Sequence, residues 1–391
     1  MRLRPVERAI RLAAERSGTA AWIVGGAVRD ALAGLPVADI DVAVPEGEER
    51  LARELSALGL GSAFPLAPAS SPAPVWRVAR EGSVIDVARF ERGASIRQDL
   101  SRRDFTVNAM AREVGTERLL DPFRGASDLA AGRIRSISDA NLRSDPLRVL
   151  RAYRLAATRG WRIVPRTRQS LSRSAPAIAD VAAERVHDEL ARLLAGGWVR
   201  AIGWAAADGV LAATLGIPGT RAVGAAVRRH ADAPREPRES AAAARLAVLF
   251  RAAGIDADTA VEALRRTKFS RAEVREVALR RRFLDLAFSD AAPDRVLFPF
   301  RDAIRPLLRL AASAAAGRRE AARVRELARA ARRVETREAP VGGDDVREWL
   351  GIPSGPEVGR RLEAARWAWF TRRWRSRREI RDGLVRSSRI G

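Results

Sequence analysis

The stretch WIVGGAVRDALAGLPVADIDVAV, residues 22–44, decides the fold of the first part of the chain. An apolar strand over residues 20–24 runs into two glycines, a short helix follows, and the segment ADIDVAV then has the pattern of a second strand. Successive side chains of a strand point to opposite faces, so Ile40, Val42 and Val44 are expected to face a core. The alternation of strand and helix predicts an α/β domain at the N-terminus.

Two aspartates on the second strand, Asp39 and Asp41, point together away from that core. Carboxylate oxygens are the hard ligands that Mg²⁺ prefers, so the pair is a candidate magnesium site. Alone, the pattern is more typical of two solvated residues on an edge strand. The preceding residues favour a site, because Gly25 and Gly26 let the backbone approach a phosphate and Arg29 is suited to clamping two of its oxygens. The whole stretch therefore indicates a nucleoside triphosphate held with magnesium.

Composition limits the classes of function. The 391 residues suffice for two or three domains with buried cores. Lysine and arginine number 71 against 48 acidic residues, and the formal net charge of +23 predicts a polyanionic partner, either nucleic acid or an anionic membrane surface. The sequence has no cysteine, which excludes disulfides, thiolate zinc sites and cysteine nucleophiles. It has no signal-peptide pattern and no apolar run of membrane-spanning length, so a soluble, cytoplasmic protein is expected.

Strand patterns are confined to the first part of the chain. The segments VWRVAR and SVIDVARF, separated by Glu81 and Gly82, predict a hairpin, and no strand is expected beyond GRIRSIS at residues 132–138. From Asp145 onward, apolar residues recur at spacings of three and four, which predicts helices up to the C-terminus.

Polar residues of two further segments are candidates for the same site. Asp86, on the second hairpin strand, is a third carboxylate for a metal or a base toward an attacking hydroxyl, although it is equally typical of a half-exposed strand. In SRRDFTVNAMA, residues 101–111, Arg103 is suited to binding a phosphate. Asp104 and Asn108 lie one helical turn apart and are suited to contacting a ribose or to orienting Arg103. The alternative for Asp104 is a helix cap.

The segment SDPLRVLRAYRLAA, residues 144–157, predicts a helix with a basic stripe. Asp145 is expected to cap this helix, with a proline at its first position. Arg148, Arg151 and Arg154 recur at every third residue and form one coherent face, with apolar residues on the opposite side. Such a stripe is usually a solvated face. An aspartate followed by an arginine fork is also suited to the edge of a nucleobase, and the further arginines to phosphates.

Five motifs in a fixed order resemble those of a known family. GGAVRD with DID, RRDFTVNAMA, DPFRGASDLAAGRIR, DPLRVLRAYRLAA and AERVHDELARLL extend over residues 20–195. Together they resemble the motifs of class II tRNA nucleotidyltransferases and bacterial poly(A) polymerases, in the polymerase-beta-like superfamily. The resemblance implies template-independent addition of nucleotides to an RNA 3′ end by two-metal transfer, with release of pyrophosphate and with Mg²⁺ as the cofactor. The base-reading motif of that family begins with an acidic residue where this chain has Ser144.

The resemblance also implies roles for individual residues. Asp39 and Asp41 match the two magnesium ligands of the family, and Asp145 with Arg148 matches the pair that reads the incoming base. The matching nucleotide-binding positions are Gly26, Arg29, Arg103, Arg151 and Arg154, to which the residue pattern adds Gly25, Asp104 and Asn108.

The implied fold is an α/β nucleotidyltransferase head at residues 1–140, with a mixed sheet flanked by helices. An all-α neck at 141–200 and an all-α body and tail at 201–391 are expected to follow and to hold tRNA. The implied function is the addition of CCA, or part of it, to tRNA 3′ ends from CTP and ATP. The short segment between Phe90 and Arg102 favours a CC-adding enzyme among the alternatives. The others are a poly(A) polymerase, a small-molecule nucleotidyltransferase and a catalytically inactive RNA-binding protein.

Overall fold

The chain folds into two compact units, residues Met1–Gly219 and Thr220–Gly391. Each unit has a buried apolar core of its own. All the residues that the sequence analysis assigns to a site belong to the first unit. A computed structural model describes residues 3–37, 39–66, 74–91, 93–116, 118–197, 199–231 and 238–388.

A seven-stranded mixed sheet forms the centre of the first unit. Its strands are β1 (Trp22–Val24), β2 (Asp39–Val44), β3 (Ser62–Pro65), β4 (Val75–Arg80), β5 (Ser83–Arg89), β6 (Ala111–Glu113) and β7 (Leu119–Leu120). They lie in the order β3-β4-β5-β2-β1-β6-β7, with β2 and β5 parallel and the other neighbours antiparallel. The prediction of a mixed sheet with a β4–β5 hairpin is confirmed. The sequence patterns did not reveal β3, β6 and β7, which are only two to four residues long.

Helices flank this sheet and then make up most of the remaining chain. The helices α1 and α3 pack on each other, and α3 packs on β4 and β5. The helices of this unit are α1 (Leu3–Ser17), α2 (Gly26–Leu32), α3 (Glu48–Ala57), α4 (Ile96–Ser101), α5 (Gly125–Ala130), α6 (Asp139–Ser144), α7 (Leu147–Arg159), α8 (Pro165–Ser174), α9 (Ala183–Ala195), α10 (Arg200–Ala207) and α11 (Val210–Leu215), with 3-10 helices at Thr106–Asn108 and Ala175–Asp180.

Burial follows the predicted faces of β2. Ile40, Val42 and Val44 are fully buried in the main core of the unit, which confirms the orientation predicted for them. Asp39 and Asp41 alternate with them and are accessible to solvent. The period-two pattern of this strand therefore separates a packing face from a chemical face.

The prediction that no strand follows residue 138 is wrong at one place. The two-residue strands β8 (Arg133–Ile134) and β9 (Arg162–Ile163) pair in parallel, and β9 lies just after α7. Ile134 and Ile163 are both buried. A ladder of two residues is too short to produce a hydrophobic period, so the sequence pattern of this region reads as helical throughout.

The described part of the second unit contains helices and no strand, as the helical periodicity predicts. The helix α15 begins with a capping box in which Ser270 and Glu273 satisfy each other's backbone donors. Phe283, Leu327 and Phe370 are fully buried in the main core of this unit. No helix in the described part of the chain is long and apolar enough to cross a membrane. The helices are α12 (Arg221–Ala231), α13 (Arg238–Ala252), α14 (Ala257–Arg266), α15 (Arg271–Ala287), α16 (Pro293–Leu297), α17 (Ile304–Ala314), α18 (Arg318–Ala331), α19 (Gly343–Leu350), α20 (Pro356–Phe370) and α21 (Arg377–Ser388), with a 3-10 helix at Phe298–Ala303.

Candidate active site

A cavity of about 730 Å³ in the first unit is lined by residues of β2, β4, β5, α2, α7 and α9. With the exception of Asp145, every residue that the sequence analysis assigned to a site contributes to its wall. Segments more than a hundred residues apart in the sequence therefore meet at one place. The size suits a nucleotide, since small-molecule pockets typically measure about 300–1,000 Å³.

Three carboxylates lie side by side on the sheet wall of this cavity. In the parallel pairing of β2 with β5, Asp41 is level with Asp86, and Asp39 is level with Val84. Asp86 accepts two hydrogen bonds of 2.8 Å from Nε and Nη2 of Arg77, and these bonds raise the pKa of Arg77. Among the described residues, no hydrogen-bond or ion-pair partner is found for Asp39 or Asp41. The two predicted metal ligands thus face the cavity without a protein partner, whereas Asp86 already has one.

The electrostatic environment of Asp41 is that of a cation site. Its carboxylate is open to the cavity but has protein on its other sides, and this burial raises its pKa. Arg103 opposes that effect, whereas the carboxylates of Asp86 and Asp39 raise the pKa further. A divalent cation would favour the ionised form of Asp41. The donor set therefore fits such a cation, with two carboxylates as its ligands. In the described part of the chain, no group of three or more acidic, histidine or cysteine side chains is arranged to hold a metal.

Gly25 allows the backbone to pass between two of the candidate residues. Its φ is +70° and its ψ is −134°, a conformation that residues with a Cβ rarely adopt. A Cβ at this position would lie 2.8 Å from Nη1 of Arg103 and 3.3 Å from Oδ2 of Asp41. The side chain of Arg103 is held by Asp99, with 3.1 Å between Nη2 and Oδ2. The glycine is therefore required both by the turn and by the two side chains beside it.

The guanidinium of Arg29 is fixed at the start of α2, beside Gly26. Its Nε and Nη2 donate to the two carboxylate oxygens of Asp30 over 2.9 and 3.0 Å, and its Nη1 donates to Oδ1 of Asn108 over 2.6 Å. A Cβ at Gly26 would lie 3.4 Å from Nη2 of Arg29. Asn108 in turn donates to Asp104 over 2.9 Å. The first glycine motif and the RRDFTVNAMA motif are thereby joined at the cavity wall.

Asp104 orients a different arginine from the one predicted. It is buried, and its Oδ2 lies 3.2 Å from Nη1 of Arg151, whereas Arg103 is paired with Asp99. It also does not cap an α-helix, because a 3-10 helix at Thr106–Asn108 follows it. Glu189, on α9, lies 3.7 Å from Nε of Arg151 and also accepts a hydrogen bond from Arg154. Two arginines of the predicted stripe are thus held in place by buried acids.

The start of α7 differs from the prediction at Asp145. The helix begins at Leu147, and Pro146 occupies the capping position. The Asp145 carboxylate nevertheless accepts a hydrogen bond of 3.3 Å from the backbone N–H of Leu147, and it lies 3.8 Å from Nε of Arg148. A second arginine, Arg185 of α9, lies 3.5 Å from the same carboxylate. Arg148 faces the cavity, and its Nη1 donates to the carbonyl oxygen of Arg102 over 2.7 Å.

The sequence analysis missed several charged residues of the cavity wall. Arg77 was detectable, because a hairpin with a two-residue loop places it directly opposite Asp86. Asp99 was detectable from its position four residues before Arg103, the spacing at which opposite charges commonly pair. The other four lie within the quoted motifs, but sequence reasoning assigned them no role, because their partners cannot be identified from local spacing: Asp30, Arg102, Glu189 and Arg192.

Comparison with known proteins agrees with this geometry. The family described as "Poly A polymerase head domain" matches residues 73–135, and the one described as "Probable RNA and SrmB- binding site of polymerase A" matches residues 160–212. The CC-adding tRNA nucleotidyltransferase of Geobacter sulfurreducens is 34% identical over 98% of this chain and 95% of its own length. The CCA-adding enzyme of Geobacillus stearothermophilus is 31% identical over 90% of this chain and 88% of its own length.

A solved structure gives the same result for the fold. The crystal structure of the Bacillus stearothermophilus CCA-adding enzyme in complex with CTP superposes with a TM-score of 0.70 at 27% identity, over 97% of this chain and 96% of that one. An α/β head with a mixed sheet, followed by helices, is therefore shared along the chain. The agreement of motifs, cavity and whole-length similarity leads to one conclusion: this chain belongs to the family of class II tRNA nucleotidyltransferases and bacterial poly(A) polymerases, and it is a nucleotidyltransferase.

Proposed function

We propose that the cavity binds CTP or ATP together with Mg²⁺, and that the chain adds CCA, or part of it, to the 3′ ends of tRNA without a template. The observation that carries this proposal is that one cavity is lined both by arginines and by two carboxylates, Asp39 and Asp41, that have no protein partner among the described residues. The names of the whole-length relatives support tRNA as the acceptor. The cytoplasm, which holds tRNA and nucleoside triphosphates, is the proposed location.

Arginines of the cavity bind the triphosphate in this proposal. An arginine has five N–H donors, and three of those of Arg29 are occupied by Asp30 and Asn108. The remaining two are free to donate to phosphate oxygens from a fixed position. Arg103 provides a second fork beside Gly25, where the absence of a Cβ leaves room for its guanidinium. Because both arginines are held before the nucleotide arrives, little side-chain entropy is lost on binding.

Asp39 and Asp41 are the residues that would hold the cation. When bound, it supplies positive charge that lowers the pKa of the attacking 3′-hydroxyl and stabilises the departing pyrophosphate. The protein contributes mainly by positioning, as is general for phosphoryl-group chemistry. Asp86, with its carboxylate engaged by Arg77, lies level with Asp41 and is placed to orient the 3′-hydroxyl once Arg77 releases it.

The neck reads the base and the helical body holds the tRNA in this proposal. Asp145 and Arg148 provide an acceptor and a donor fork for the edge of the base, and a mismatched base would leave them unpaired. The neck is assigned to residues 141–200 and the tRNA-binding body and tail to residues 201–391. The arginines of the body suit phosphate contacts, which position an RNA without reading its sequence.

The test is incubation with tRNA transcripts that lack the last three, two or one nucleotides. Each transcript is supplied with CTP, with ATP or with both, and the new 3′ ends are sequenced. Addition of C, C and A, or of a defined part of that sequence, supports the proposal. Long adenosine tails on unrelated RNA would instead support a poly(A) polymerase. Absence of any addition, with folded protein and Mg²⁺ present, would leave an RNA-binding protein without catalysis.

A further inference from the structure

An ion-paired arginine outside the cavity holds the triphosphate-binding end of the site. Arg159 is the last residue of α7, and it is absent from the cavity wall. Its Nη2 lies 2.9 Å from each carboxylate oxygen of Asp30. The same two oxygens accept hydrogen bonds from Nε and Nη2 of Arg29. Asp30 is thus clamped between two arginines that are 130 positions apart in the sequence.

The clamp determines the orientation of Arg29. Two of its N–H groups are bound to Asp30, so the plane of the guanidinium follows the plane of that carboxylate. The side chain of Asp30 is only 13% exposed, and Arg159 supplies half of its hydrogen bonds. Without Arg159, Asp30 is anchored by Arg29 alone. The arginine that is proposed to bind phosphate would then be tied only to its own neighbour in the sequence and to Asn108.

The clamp also determines the charge that the triphosphate meets. Arg29 with Asp30 is a neutral pair, which attracts a polyanion weakly. Adding Arg159 gives the three side chains a net charge of +1. All three are largely withdrawn from solvent, with exposures of 11, 13 and 26% for Arg29, Asp30 and Arg159, so their charges are screened less than those of surface residues.

A single helix connects this clamp to the proposed base-reading pair. Arg148 and Arg159 are both on α7, eleven residues apart, which corresponds to roughly 16 Å along a helix. A nucleoside triphosphate has its base at one end and its phosphates at the other. Arg148, near the start of α7, is at the end proposed to read the base. The ion pair between Arg159 and Asp30 attaches the other end of α7 to α2, the helix that carries Arg29.

We infer that Arg159 is a positioning residue for nucleotide binding, which acts through Asp30 to orient Arg29 and to keep its surroundings positive. This inference rests on the proposed binding of nucleoside triphosphates in the cavity. Because Arg159 does not read the base, it contributes equally to CTP and ATP. Its contribution is to binding in both the ground and the transition state, so its loss raises KM and leaves kcat unchanged.

The test is Arg159→Gln in the full chain, with dissociation constants of CTP and ATP measured in the presence of Mg²⁺ and without RNA. Coupling between neighbouring sites typically corresponds to about 5- to 150-fold in affinity, and a residue without direct contact is expected at the low end, about 5- to 20-fold. Both nucleotides should weaken by the same factor. Arg159→Lys, which keeps the charge but not the fork, should recover part of the loss.

Arg168→Gln is the matched control, because Arg168 pairs with Asp208 in the same unit, away from the cavity wall. The side chains of that pair are 33 and 13% exposed, which resembles the 26 and 13% of Arg159 and Asp30. If both variants weaken nucleotide binding alike, or if Arg159→Gln binds within about twofold of the unmodified chain, the inference is wrong. If the unmodified chain itself binds neither nucleotide, the proposed function fails, and the inference with it.

A second experiment tests the inference if the Arg159→Gln variant is poorly folded. In an Asp30→Asn chain the carboxylate that connects the two arginines is gone, so Arg159→Lys, which keeps the positive charge, should no longer change nucleotide affinity. An undiminished effect in that background would contradict a role through Asp30.

Discussion

Replacement of Gly25 by alanine tests whether the glycine at the end of β1 exists for the chemistry as well as for the turn. The added methyl group faces two separate obstacles. The first is the backbone, whose φ of +70° and ψ of −134° disfavour any residue with a Cβ. The second is steric, because the new Cβ would lie 2.8 Å from Nη1 of Arg103.

The two obstacles predict effects on different measurements. Backbone strain of this kind costs roughly 1–3 kcal/mol, which should appear in the free energy of unfolding. The clash is with the end of a flexible side chain, so Arg103 should withdraw by roughly half an ångström or more to regain an ordinary van der Waals distance. Its pairing with Asp99 and its position at the cavity both change as a result. Misplacement of a substrate-positioning group by such a distance is expected to cost roughly ten- to a hundredfold in rate.

Gly34→Ala separates strain from displacement. Gly34 also has a positive φ, +68°, but a Cβ there would meet no atom within 4 Å. It should lose about 1–2 kcal/mol of stability from its backbone alone and keep full nucleotide-transfer activity. The assays are urea unfolding and single-turnover transfer of CMP from CTP, with release of pyrophosphate, to a tRNA transcript that lacks its 3′ end. If Gly25→Ala and Gly34→Ala transfer nucleotide at the same rate, the close approach of Arg103 and Gly25 has no catalytic importance.

Three further predictions concern the metal ligands, the choice of base and the binding of tRNA. Asp41→Ala should lower single-turnover addition by about a hundredfold or more while the thermal midpoint is kept, since a cation ligand is lost; near-normal turnover with Mg²⁺ contradicts the assignment. Asp145→Ala should relax the choice among the four nucleoside triphosphates, whereas Arg29→Ala should weaken all four alike in a binding assay; one common factor for Asp145→Ala contradicts base reading. The logarithm of the affinity for tRNA should fall with the logarithm of the salt concentration at a slope of about −3 or steeper. A folded fragment that ends at Gly219 should keep nucleotide binding but lose tRNA binding. Retention of tRNA binding by that fragment contradicts the division proposed between neck and body.

Sequence reasoning succeeded where a side chain's direction depends on a local period. The alternation in β2 was enough to place Ile40 in the core and Asp39 and Asp41 at the surface, because each strand residue points opposite to its neighbour. The three-residue spacing of the arginines on α7 likewise predicted one face, and Arg148, Arg151 and Arg154 all line one cavity. Neither conclusion required knowledge of what packs against the element.

Reasoning from sequence failed where the partner of a charged group lies far along the chain. Arg29 meets Asn108 across 79 positions, and Asp30 meets Arg159 across 129. Such pairs depend on how α2, α7 and the 3-10 helix at Thr106–Asn108 are arranged in space, which no local pattern contains. The same limitation explains Asp104, for which orienting Arg103 was one of the alternatives and which instead orients Arg151. Ionic partners are thus the part of a site for which the folded structure is required.

The pairing of charges in the cavity gives the strongest physical argument for a cation at Asp39 and Asp41. Eight arginines and seven acidic side chains line the wall. Five of the acids have an arginine partner: Asp30, Asp86, Asp99, Asp104 and Glu189. Among the seven acids of this described wall, only Asp39 and Asp41 have no ionic partner, although arginines are abundant around them. If a divalent cation offsets the charge of Asp39 and Asp41, eight arginines remain against five acids on the wall. The net charge of the wall is then positive, as the binding of a triphosphate requires. A cavity with all seven acids paired to arginines would have had no need of a metal.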